Sequence, residues 1–234
     1  MSELAGARRE FGEGPLARAA ALIYHLLVVE VLLVLTSVPA LIPLALLDHD
    51  VSNLPLAGLC ALPVGPSLSA ALYALHHRRA DLTDLRPLAM FWRGYTLNAR
   101  AVVPVWLPLV GWLTLIAVSL GDLADAAVPR WWAVLLVVVA VGVLMWGGNA
   151  MVIVSLFAFR SRDVARLAAY FLVRTPGVTV ANACLLIAAA GVVVISSEAL
   201  LALFSSVLAL LLLRGSRPMV ALIRAEFTVP GELP

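Results

Sequence analysis

The amino-acid sequence predicts an all-α fold: a polytopic transmembrane helical bundle with six spans as three hairpins, cytoplasmic amphipathic helices, and both termini inside. Three observations carry this reading. Apolar residues make up 63% of the 234 and charged residues only 13%, whereas an ordinary globular domain carries about 25% charged residues. Such a chain cannot coat a soluble core, so its apolar excess has to face lipid. The apolar residues also fall in runs that reach the ~20 residues needed to cross ~30 Å of hydrocarbon. Finally, all sixteen basic residues are arginine, and fifteen of them lie in alternate gaps between those runs, Arg130 being the exception. The positive-inside rule places those gaps on the cytoplasmic face of a bacterial inner membrane. The whole chain, 1–234, reads as one integral membrane domain.

Residues 1–18 are mixed polar and carry Arg8, Arg9 and Arg18; they form a cytoplasmic N-terminal segment. Ala19–Leu47 is the first span, far longer than the 7–15-residue apolar region of a cleaved signal, and is expected to be retained. Asp48-His49-Asp50 is an acidic outer loop. Leu54–Leu75 is the second span and the least regular one. Pro63-Val64-Gly65-Pro66 should break it, and a half-span helix should restart over Ser67–Ala74 with its positive dipole end inside the membrane. Residues 76–100 form a cytoplasmic loop with five arginines. Ala101–Leu120 is the third span, and Trp131–Phe159 the fourth, opening on a tryptophan pair suited to the headgroup belt. Residues 160–174 return to the cytoplasm with four arginines. The run 180–213 is about 51 Å long as one helix, too long for one crossing. A hairpin turning at Ser196-Ser197-Glu198, with the fifth span borrowing Thr175–Thr179, keeps the 214–234 tail inside.

The cytoplasmic segments are striped. Leu88, Phe91, Trp92 and Tyr95 recur at helical spacing, with Arg86, Arg93 and Arg100 opposite them. Val164, Leu167, Ala168 and Phe171 repeat the pattern against Arg162 and Arg166, followed by Arg174. Met219, Leu222 and Ile223 do so more weakly against Arg217 and Arg224. These are expected to be amphipathic helices at the membrane surface, apolar face down, available to lipid phosphate or to a partner protein.

Several chemistries are excluded or weak. A P-loop needs a lysine, and so does a Schiff-base enzyme; the chain has none. The net charge of +2 gives no case for nucleic acid. Cys60 and Cys184 sit in apolar runs without Cys-x-x-Cys spacing and read as small buried hydrophobes, so neither a disulfide nor a metal is expected. The His76-His77 pair lacks nearby ligands for a metal. Gly65-Pro66-Ser67-Leu68-Ser69 lacks the second glycine of a nucleophile elbow, so no catalytic residue and no cofactor is assigned. The intramembrane polar candidates are His25, Glu30 and Asn149. Glu30, costing at least ~2.5 kcal/mol at mid-bilayer, should face the bundle interior with a partner. It reads equally as part of a solute path and as hydrogen-bonded helix glue.

Gly65-Pro66-Ser67-Leu68-Ser69-Ala70-Ala71-Leu72-Tyr73-Ala74-Leu75 resembles the Gly-Pro-small-x-x-Ala-Leu-Tyr segment of the YesL family. Phe91-Trp92-Arg93-Gly94-Tyr95 is similar to its Phe-Trp-Arg-x-Tyr element, and Arg174-Thr175-Pro176 also fits its pattern. An insertion at about Asp48–Leu62 departs from it. The resemblance implies a non-catalytic accessory or permease-like subunit of carbohydrate uptake, partnered by the permease or ATPase subunits of an ABC importer. Phe91, Trp92, Arg93 and Tyr95 would then be its docking face. The lipid bilayer is the other expected partner, and homo-oligomerisation is left open. A self-standing secondary transporter with its site at Pro63, Gly65, Pro66, Ser67, Ser69 and Tyr73, and an intramembrane enzyme, are the rival readings.

Overall fold

The computed structural model describes residues 15–48, 50–78, 86–124, 129–195 and 198–227. Every long element among them is a helix. In chain order these are α1 (Pro15–Leu46), α2 (Leu54–Cys60), α3 (Val64–His76), α4 (Pro87–Gly121), α5 (Trp131–Leu156), α6 (Ser161–Arg174), α7 (Pro176–Ile195), α8 (Glu198–Leu203), α9 (Ser205–Gly215) and α10 (Arg217–Phe227). Four of them, α1, α4, α5 and α7, are long and apolar enough to cross a bilayer. Counting each of two bent pairs as one span brings the number to six. The pair Val51–Cys60 with α3 bends by 46°, and α9 with α10 by 51°. Most of the apolar surface of the long helices points outward, as lipid-facing helices require. Residues 1–14, 49, 79–85, 125–128, 196–197 and 228–234 lie outside the described residues, among them the Ser196-Ser197 positions where the sequence predicts a turn.

The bundle is organised around α3, a helix of only 13 residues. α3 packs against α1, α4, α5 and α9. Gly65, Ser67, Ser69, Ala70, Ala71 and Ala74 are all buried on it. In a bilayer, water supplies no drive between helices, so association depends on close packing, and small residues allow it. The approach to α4 is close: a β-carbon on Gly94 would lie 2.7 Å from Cβ of Tyr73. The helix to which the rival transporter reading gives its site is the central packing post of the bundle.

The C-terminal run is a hairpin. A β-carbon on Gly215 would lie 3.3 Å from Cβ of Ala181, whereas 34 helical residues would hold these positions about 51 Å apart. α7 begins at Pro176, so this helix takes in residues 176–179 as expected, while Thr175 caps α6.

The Arg-striped segments differ from the sequence expectation in one common respect: each buries apolar residues against protein, Phe91 alone on the first and most of the apolar face on the other two. The first is no separate surface helix. α4 runs unbroken for 35 residues, about 52 Å, so residues 87–100 extend the third span. Pro104 and Pro108 lie inside this helix without ending it, as happens where neighbours re-satisfy the freed backbone. Phe91 is fully buried. On α6, Val164, Ala168 and Phe171 are buried. The Trp146 indole on α5 donates to the Ala165 carbonyl at 3.0 Å, latching this helix to the bundle. On α10, Met219, Val220 and Ile223 are buried, and Phe227 meets Phe171 edge-on. Arg86, Arg93, Arg100, Arg162, Arg166 and Arg174 are exposed on the opposite faces. The periodicity identified the buried faces of α6 and α10; of Leu88, Phe91, Trp92 and Tyr95 only Phe91 is buried, while Leu88 and Trp92 are exposed, because periodicity does not say what covers a face.

Candidate functional site

The break in the second span lies at Ala61–Pro63, between α2 and α3. Pro63 is the N-cap of α3 and Pro66 sits in its first turn, where a missing N–H costs nothing. A broken helix frees carbonyls that must find donors. Here the Trp106 indole of α4 reaches across and donates to the Ala61 carbonyl at 3.0 Å. The same ring lies flat on Gly65, where a β-carbon would sit 2.6 Å from its Cδ1. The glycine makes room for the indole and the indole fills the break. Ser67 donates to the Pro63 carbonyl at 3.0 Å, inside its own helix turn. Ser69 and Ser155 on α5 are hydrogen-bonded at 2.8 Å. Tyr73 stacks on His77, centroids 4.1 Å apart. Every residue of the broken-helix motif thus serves packing or local capping.

Glu30 lies halfway along α1 and is buried. Its carboxyl accepts from the Ser205 hydroxyl at 2.8 Å and from the Ser206 N–H at 2.7 Å. These are the first two residues of α9, which begins after a break at Phe204. Glu30 therefore caps a helix that starts inside the bundle, satisfying an N–H that has no intrahelical partner. His25 spends its Nδ1 on the Ala21 carbonyl one turn earlier, at 3.1 Å. Neither contact joins His25 to Glu30.

Asn149 pairs with a residue the sequence reading missed. The Asn182 amide on α7 donates to Asn149 Oδ1 at 2.9 Å, and the Asn149 amide reaches the Ala168 carbonyl of α6 at 3.4 Å. Three helices meet at this pair, beside Gly148, where a β-carbon would come within 3.9 Å of the Asn182 amide nitrogen. Asn182 is the sole amide residue in the long run 180–213, and that was the available signal. Membrane interhelical hydrogen bonds average only ~0.6 kcal/mol, and Asn182 Oδ1 has no partner among the described residues. Asn182→Leu should therefore destabilise the detergent-solubilised protein by no more than about 1 kcal/mol, measured by thermal unfolding. A loss several times larger would mean that the pair holds more than helices.

The expected docking face divides. Phe91 belongs to the core, which removes it from any partner surface. Trp92 is exposed and stacks on Tyr95, centroids 5.7 Å apart and planes within 9°, beside exposed Arg93. Trp131 and Trp132 also stack and are exposed. Cys60 and Cys184 are free thiols, and Cys184 is exposed rather than buried. Among the described residues, no cluster of His, Cys, Asp and Glu could hold a metal. No protein-family model, curated protein or solved structure matches this chain.

Proposed function

We propose that this protein is a non-catalytic, multi-pass subunit of the bacterial cytoplasmic membrane, with both termini and the arginine-bearing helices on the cytoplasmic side. It serves carbohydrate uptake as an accessory or permease-like partner of an ABC-type importer. One observation carries the non-catalytic part: the intramembrane polar residues are engaged in holding helices together. Glu30 caps α9, Asn149 pairs with Asn182, and Trp106 occupies the break of the second span. A solute path needs polar groups facing a cavity, and these face other helices. The chemistry left exposed is the arginine-bearing surface with Trp92 and Tyr95, which suits contact with a partner subunit or with anionic headgroups. The carbohydrate assignment rests on the likeness of Gly65–Leu75 and Phe91–Tyr95 to the YesL family.

Affinity purification of the tagged chain from its native membranes tests the reading. A permease, an importer ATPase or a sugar-binding protein should co-purify. Trp92→Ala with Arg93→Ala should release it, since aromatic and arginine anchors dominate such contacts. Recovery of the protein free of all three would refute the accessory role.

A further inference from the structure

We draw no further inference here: the strongest candidate, the cleft of about 460 Å³ that Arg78, Arg214, Arg217 and Arg224 line at the end of the bundle formed by α3, α9 and α10, carries nothing, because Arg224 has an interaction beyond its contact with His76 and residues 79–85 and 228–234, which follow Arg78 and α10 in the chain, lie outside the described residues, so the charge facing these arginines is undefined.

Discussion

Glu30→Ala should destabilise the protein by about 3 kcal/mol, more than any other polar substitution within the bundle. Two effects add. In the folded bundle, the Ser206 N–H and the Ser205 hydroxyl lose their acceptor, and a buried donor left unsatisfied costs about 1–3 kcal/mol. In the unpacked but still inserted chain, the wild-type carboxyl sits against lipid at a cost of at least ~2.5 kcal/mol. Alanine removes that cost and so stabilises the competing state. Measured membrane hydrogen bonds fall short of such sums because the unpacked chain finds other partners, which is why the expected total stays well under the sum of maxima. Glu30→Gln keeps the volume and one accepting oxygen, but turns an NH₂ group toward a donor, and should lose roughly half as much. Unfolding in detergent and hydrogen exchange at the Ser206 amide both read this out. If Glu30→Ala abolished uptake while stability and exchange stayed at wild-type levels, Glu30 would belong to a solute path and the capping role would fall.

Glu30 also shows where reading from sequence stops. An isolated acid in an apolar run announces that it has a partner inside the bundle. The partner lies 175 residues away, at a helix break that no proline or glycine marks: the break falls at Phe204, where Phe204-Ser205-Ser206-Val207 interrupts a run otherwise made of leucine and alanine. Breaks made by proline were legible, and the one at Pro63 appears within two residues of its expected place. The donor that fills it was not legible, because Trp106 sits among apolar neighbours and looks like any lipid-facing aromatic. The arginine stripes were legible as helical faces, since spacing alone defines a face. What each face meets depends on tertiary placement. The same 3.6-residue pattern produced a span extension in α4, a latched helix in α6 and a cleft wall in α10. Convergence of Arg78 with Arg214, Arg217 and Arg224 depends on α3 and α9 ending at the same level, which spacing along the chain does not encode.

Trp106→Ala should cost about 3 kcal/mol, near the lower end of what large-to-small aromatic substitutions cost in water-soluble cores. The lower end is expected because a residue leaving this site exchanges protein contacts for lipid as apolar as leucine, so little transfer energy is at stake. What is lost is the packing of the indole in the break and its hydrogen bond to Ala61. Trp106→Phe separates the two, keeping an aromatic ring and losing only the N–H, for about 1 kcal/mol. Gly65 provides the sharper test. A methyl group there would press into the ring, its carbon 2.6 Å from Cδ1, and overpacking of this kind costs about 1–3 kcal/mol. In the Trp106→Ala background the same methyl group enters the space the indole vacated, so Gly65→Ala should become neutral or stabilising. A double-mutant cycle by detergent unfolding should therefore show a coupling of about 1–3 kcal/mol. Equal costs of Gly65→Ala in both backgrounds would show that the indole is not seated on the glycine. The outcome bears on function as well as stability. If the break is a packed joint, opening it by Trp106→Ala weakens the protein and creates no route for a solute. If the second span were instead a transport site closed by a movable indole, the same substitution would leave stability nearly unchanged and raise solute flux in liposomes. The two readings thus predict opposite pairs of results from one variant.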